Sequence, residues 1–325
     1  MKAIRWVTVL VIVTSLVSLT ACSIFTEKED SEVSLILDTG VLEEEGLRET
    51  VLYYQDQNGI IVPVMRRIPW EEGIAKSAIN LLVDEPGTRE NLAQVGLLPV
   101  LPNGTEVIGM SINEGLAKVN FNENFLSYNT EVEEETIVQS LVYTLTEFES
   151  IDKVQLLVDG KEISKLSFGT NVKNPLERQN INLSLEIGEE EVPVTVYYKT
   201  TTNGEDSFYV PVTKPVNAIK PDIKTVLSSL IEGAPEGTGL YSELPAGVAL
   251  NDVYVKNQVA YIDFSPEIEN MPDNKDHQQS MIYELGLTLR EIEPTISQVR
   301  ILSGGKEIDL HSDVSINLPT YSNQY

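Results

Sequence analysis

Val154-Gln155-Leu156-Leu157-Val158-Asp159-Gly160-Lys161-Glu162-Ile163 occurs twice in this chain, and the second occurrence decides how the rest is read. It returns as Val299-Arg300-Ile301-Leu302-Ser303-Gly304-Gly305-Lys306-Glu307-Ile308, with Ile308 standing 145 residues after Ile163. Each copy joins an alternating apolar run, suited to a strand, to a two-residue turn and a returning run. Asp-Gly and Gly-Gly fit such a turn because both central residues must tolerate positive φ. A period this long describes two copies of one domain, whereas solenoid repeats recur every ~20–50 residues.

Further pairs keep nearly the same displacement. Leu101-Pro102-Asn103-Gly104 matches Leu244-Pro245-Ala246-Gly247, and Val119-Asn120-Phe121 matches Ile262-Asp263-Phe264, both 143 residues on. Upstream, Tyr53-Tyr54 matches Tyr197-Tyr198 after 144 residues, and Val62-Pro63-Val64 matches Val210-Pro211-Val212 after 148. Insertions in surface loops produce such drift. A chain of 325 residues has room for two such domains, each able to bury its own core.

The net charge of −27 argues against a phosphate-binding face, so no nucleic acid is expected as a partner. It argues equally against a polybasic membrane contact. Contact with lipid is expected instead from the first residues. Lys2 and Arg5 precede an apolar run from Trp6 to Leu19, ending in Leu19-Thr20-Ala21-Cys22. That order describes a secretory signal peptide over residues 1–21. Leu-Thr-Ala-Cys resembles the bacterial lipobox, and Cys22 is the only cysteine in the chain. Cys22 is therefore expected to carry a diacylglyceryl lipid as the first mature residue. Residues 22–47, rich in acids, are read as a tether.

The first domain is expected over 48–175. Asn58-Gly59 marks a hairpin, Pro69 with Glu71-Glu72 opens a helix carrying Ile74, Ala78, Leu81 and Leu82, and Pro86-Gly87 ends it. A second hairpin turns near Asn113–Gly115. Thr130 and Glu133 form a capping box before a helix with Ile137, Leu141, Leu145 and Phe148 on one stripe. A linker is expected over 176–191, in which Ile181–Ile187 alternates like a strand of either domain. The second domain, 192–319, repeats the plan, with Pro221-Asp222 opening one helix and Ile282, Leu285, Leu289 and Ile292 facing inward on the next. A short tail, 320–325, follows. The fold class is α+β: tandem copies of a mainly antiparallel sheet packed by two helices. Each Tyr-Tyr pair is expected to put one ring in the core and one outside.

The search for chemistry yields little. Acylation of Cys22 would leave no thiol, and His277 and His311 lack a nucleophile elbow or zinc-ligand spacing. No cofactor or metal is expected. Ser303-Gly304-Gly305-Lys306 reads as a turn, because its counterpart is Val158-Asp159-Gly160-Lys161. The most site-like cluster is Asp273, Asp276 and His277, with Glu267 nearby. These three carboxylates are the candidates for an envelope hydrolase or a wall-binding protein, since paired carboxylates cleave glycosidic bonds. Asn120 stands where the second copy has Asp263, which disfavours catalysis shared by both copies there. A cleft between the domains holding a small molecule is a third reading.

With its lipobox and its doubled Leu-Pro-x-Gly, Val-Asn-Phe/Ile-Asp-Phe and Gly-Lys-Glu-Ile segments, the chain resembles the GerMN-domain family of sporulation and germination lipoproteins. The resemblance covers roughly residues 48–175 and 192–319. It implies a domain like the ring-building domains of secretion systems, and no catalytic residues. It further implies a non-enzymatic lipoprotein needed for endospore formation and germination. Such a protein would sit on the outer face of the cytoplasmic membrane, in a sporulating cell the mother-cell membrane facing the forespore. Its protein partners would belong to a channel-like ring complex there.

Overall fold

The computed structural model describes residues Gly46 to Gln324. The predicted signal peptide, Cys22 and nearly all of the tether lie outside the described residues. In the first copy, β1 (Leu47–Gln55) and β2 (Ile61–Pro69) form an antiparallel hairpin. Asp56 Oδ1 closes its turn by accepting from the Asn58 and Ile60 amides at 2.8 and 2.9 Å. α1 (Ile74–Asn80) and α2 (Pro86–Ala93) follow, then β3 (Val107–Asn113) and β4 (Leu116–Phe121). α3 (Glu131–Leu145) crosses to β5 (Lys153–Val158), and β6 (Lys161–Glu162) closes the copy. The second copy runs β7 (Val192–Thr201), β8 (Ser207–Val216), α4 (Ile223–Ile231), β9 (Leu250–Lys256), β10 (Val259–Phe264), α5 (Lys275–Arg290), β11 (Gln298–Ser303) and β12 (Lys306–Glu307).

The α+β class and the tandem plan stand, with the strands of each copy divided between two small sheets. Each copy has a two-stranded hairpin and a four-stranded sheet, ordered β3-β4-β5-β6 and β12-β11-β10-β9. Within the larger sheets, β4 and β5 run parallel, as do β10 and β11, because a long helix carries the chain back between them. Alternation sets their inner faces. Ala117, Val119 and Phe121 are buried on β4, as Ala260, Ile262 and Phe264 are on β10. Ile137, Leu141 and Leu145 of α3 and Ile282, Leu285 and Leu289 of α5 complete one continuous apolar core spanning both copies.

Local signals behave as their chemistry requires. Thr130 accepts from the Glu133 amide at 3.1 Å, and Glu133 reaches back to the Asn129 amide at 2.7 Å. Asp222 caps α4 through the Thr225 amide. Asp159 and Gly160 both take positive φ in the β5–β6 turn, as Gly304 and Gly305 do in the β11–β12 turn.

Five expectations need correction. Pro69 ends β2 and opens no helix. The Trp70 amide bonds to Gly46 O at 2.6 Å, and Gly73 at φ 87° separates Glu71-Glu72 from α1. Pro86-Gly87 starts α2 instead of only stopping α1, since proline suits the first helical position as well as it suits a stop. Tyr54 and Tyr198 are core residues as expected, but Tyr53 is buried too, in a separate cluster with Ile61 and Ile181. Ile181–Ile187 forms no strand. Its backbone instead bonds to one residue of β8, Thr213 N to Ile181 O at 2.9 Å and Ser184 N to Thr213 O at 3.1 Å. Ile292, expected inward, lies beyond the end of α5 and is exposed.

The two copies meet through equivalent strands, β2 and β8. Asn182 Oδ1 accepts from the Ile61 amide at 2.8 Å, while its Nδ2 donates to Ile61 O at 2.8 Å and Pro211 O at 2.9 Å. Asn323 Oδ1 accepts from the Tyr209 amide at 2.7 Å, while its Nδ2 donates to Tyr209 O at 2.8 Å and Pro63 O at 2.6 Å. Ile61 corresponds to Tyr209 and Pro63 to Pro211, each 148 residues on, so the two asparagines are counterparts. Exchanging the copies exchanges the bonds, which is the signature of an isologous contact inside one chain. The expected linker and tail thus each return one side chain to the seam.

Candidate functional site

The three carboxylates singled out in the sequence are all exposed. Glu267 lies in a 3-10 turn, Pro266–Asn270, where the Ser265 hydroxyl holds its carboxyl below the usual range. A glycosidic general acid needs the opposite, a raised value. Asp276 sits in the first turn of α5, which is capped by Asn274 accepting from the His277 amide at 3.0 Å. Asp273 lines an open groove of about 560 Å³ with Glu269, Ser303, Lys306, Asp309 and His311. Glu267 and Asp276 do not line that groove. Among the described residues, no three His, Cys, Asp or Glu side chains are placed to hold a metal ion.

His277 belongs to a different cluster, turned inward. Its Nδ1 lies 2.7 Å from Glu243 Oε2, and Glu243 Oε1 is 2.7 Å from Lys199 Nζ. Lys199 Nζ also donates to Ser280 Oγ at 3.0 Å. Glu284, fully buried on α5, accepts from the Glu243 amide at 2.9 Å with one oxygen, while its other oxygen has no hydrogen-bond partner among the described residues. Burial pushes the Glu284 carboxyl up to about 8, although the Glu243 amide and Lys199 pull it down. A Lys–Ser contact can suggest nucleophilic catalysis. Here the lysine is ion-paired to the Glu243 carboxylate. The arrangement ties the loop before β9 to β7 and α5.

Other buried polar groups repeat between the copies as structural devices. Thr144 and Thr288 each accept a backbone amide through Oγ1, from Tyr53 at 3.1 Å and Tyr197 at 2.9 Å. The Tyr53 hydroxyl donates to Glu147 at 2.9 Å, and the Tyr197 hydroxyl to Glu291 at 3.2 Å. Arg178 pairs with Glu147 and donates to Thr146 Oγ1 at 2.7 Å. Burial raises the Glu291 carboxyl against the pull of the Tyr197 hydroxyl and Arg178. Asn120 Oδ1 accepts from the Gly160 amide at 2.8 Å, and Asp263 Oδ1 from the Gly305 amide at 2.8 Å. Both residues anchor the turn that follows the next strand, so the Gly305 amide serves the protein's own carboxylate, while the Gly304 amide donates to Phe264 O at 3.2 Å. Sequence reasoning missed Glu284, Asn182 and Asn323. A charge beside the buried stripe of α5 was the one available signal.

These features define a class: a duplicated α+β domain whose polar groups are spent on joining and bracing its own elements. A family model described as "Germane: Sporulation and spore germination" matches residues 51–164 and 195–309, and the chain belongs to that family. It is similar to the spore germination protein GerM of Bacillus subtilis (strain 168), with 33% identity over 265 residues covering 78% of this chain and 71% of that protein. The solved structure of the tandem GerMN domains of the sporulation protein GerM from Bacillus subtilis superimposes with a TM-score of 0.71 at 29% identity. That match covers 86% of this chain and 99% of the other.

Proposed function

We propose that this chain is a lipoprotein, anchored through Cys22 on the outer face of the cytoplasmic membrane, that acts without catalysis. In a sporulating cell it stands on the mother-cell membrane facing the forespore. Its paired domains support assembly or stability of a channel-like envelope complex needed for spore formation and germination. The observation that carries this reading is the seam. Two copies tied by Asn182 and Asn323 over one shared apolar core suit a scaffold better than a hinged ligand trap. Membership of the sporulation family supports it. The hydrolase reading has less support, because the Ser265 hydroxyl holds the Glu267 carboxyl below the usual range and only Asp273 of the three carboxylates lines the open groove.

The test is a deletion strain of the host, scored for heat-resistant spores and complemented by three alleles. Wild type and a triple variant, Glu267→Gln with Asp273→Asn and Asp276→Asn, are expected to restore spores equally. Cys22→Ala is expected to fail. Normal spore counts in the deletion strain sink the assembly reading. A stable triple variant that cannot complement returns the weight to hydrolysis.

A further inference from the structure

β3 is an outer strand of its sheet. β4 pairs with one side, and among the described residues no backbone bond runs along the other. An unpaired row of amides and carbonyls is a template for an incoming strand. Beside this edge lies a groove of about 320 Å³ lined by Arg48, Ile74, Lys76, Met110, Ile112 and Phe148, among others. Its lining is largely apolar, and both charged groups in it are cations. In a chain of net charge −27, that is a local reversal of sign.

Arg48 and β3 also carry exposed apolar neighbours. Arg48 lies 5.3 Å from the centre of the Trp70 ring and 5.2 Å from that of Phe148, so the guanidinium is held between two aromatic groups. Trp70 remains 64% exposed, Ile108 54% and Ile112 43%. Exposed tryptophan beside a positioned arginine is the composition of binding hot spots. The second copy lacks this composition. At the matching displacements of 144 and 148 residues it carries Val192 for Arg48 and Ala218 for Trp70.

We propose that the free edge of β3 and this groove bind an extended segment of a partner protein whose apolar side chains are flanked by carboxylates. The segment's main chain pairs with β3, an apolar side chain enters beside Phe148 and Ile112, and carboxylates meet Arg48 and Lys76. The acidic surface elsewhere repels acidic segments that lack this fit, which gives selectivity. The proposal extends the assembly reading by naming the chemistry of one partner contact. Its test uses no cells, so it can fail while the spore counts stand, and the reverse.

The probe is a labelled, capped heptapeptide, Ser-Asp-Ile-Phe-Ile-Asp-Ser, titrated into the full chain and followed by fluorescence anisotropy. Two controls are a twin with lysine for both aspartates and a twin with proline at the centre, which cannot pair with an edge. The aspartate peptide is expected to bind at least about tenfold tighter than either twin. Arg48→Glu with Lys76→Glu is expected to invert the preference between aspartate and lysine peptides. Should that variant melt early, Ile112→Arg, at an exposed position, must abolish binding in a chain of unchanged melting temperature. Equal binding of the twins, an unmoved preference in the charge-reversed chain, or no binding at millimolar peptide overturns the proposal. So does a concentration-dependent dimer lost in Ile112→Pro, which would seat a second copy of the chain on this edge instead.

Discussion

Where the long helix of the first copy carries Ser140, that of the second carries Glu284, 144 residues on. Both are fully buried. Ser140 donates to Tyr53 O and is thereby satisfied. Glu284 instead accepts from the Glu243 amide across the loop before β9, and leaves one oxygen without a partner among the described residues. The same backbone thus supports a neutral solution in one copy and an ionisable one in the other. Duplication preserved the strand pairing, the Thr144 and Thr288 acceptors and the turn anchors. What diverged is the polar chemistry under each long helix and the surface beside each edge strand. The difference separates what the fold requires from what each copy adds.

The largest expected effect comes from Glu284. Between its ordinary value of 4.5 and about 8, the folded chain holds a proton that the unfolded chain has released. Stability from this group is therefore present at pH 4.5 and below and is lost as pH rises toward 8. At about 1.4 kcal/mol per unit, the loss is on the order of 3–5 kcal/mol above pH 8. Glu284→Gln keeps an acceptor for the Glu243 amide and removes the charge. Urea unfolding at pH 5 and pH 9 is expected to show the variant near wild type at the first and clearly more stable at the second. Ser140→Ala, its counterpart, is expected to cost about 1 kcal/mol at both. Parallel pH profiles for Glu284→Gln and wild type would defeat this account of the second copy.

A smaller effect tests whether the seam is symmetric. Asn182→Ala and Asn323→Ala each strand one part-buried amide and two carbonyls, which costs roughly 1–3 kcal/mol. Because the residues exchange under the repeat, equal losses are expected from the two variants. The double variant should depart from additivity, since both side chains hold the same pair of strands. A loss confined to one asparagine would mean that the contact is not isologous and that one copy merely leans on the other.

Much of this was legible beforehand. Alternation in Val119–Phe121 and Val299–Leu302 gave strands, the Asp-Gly and Gly-Gly pairs gave turns, and Thr130 with Glu133 gave a helix start. Those signals are local, so a short window holds all the physics they need. Asn182 and Asn323 were not legible. Their value depends on carbonyls of Pro211 and Pro63 in the other copy, and a lone asparagine in a polar segment carries no mark of that. Pro69 and Pro86 misled for another reason. Proline fits a strand end, a helix start and a stop, and the deciding residue was Gly73, whose left-handed turn delays α1. At the candidate site, acids before a helix drew the eye to Asp273 and Asp276. The buried polar cluster formed behind them, from residues scattered between Lys199 and Glu284, and no spacing rule connects these.

The smallest effect is the most discriminating for function. Asn120 and Asp263 occupy equivalent places and each accepts one glycine amide at 2.8 Å in a surface turn. If that is their whole role, Asp263→Asn and Asn120→Asp keep the acceptor and should change stability by no more than a few tenths of a kcal/mol. Alanine at either place removes the acceptor and should cost about 0.5–1 kcal/mol, alike in the two copies. A carboxylate that took part in chemistry would behave otherwise. Asp263→Asn would then leave the melting temperature untouched and abolish complementation of the deletion strain, while Asn120→Asp did neither. Expected instead is complementation by all four variants. That outcome would identify the pair as one turn anchor written twice, with an amide in the first copy and a carboxylate in the second.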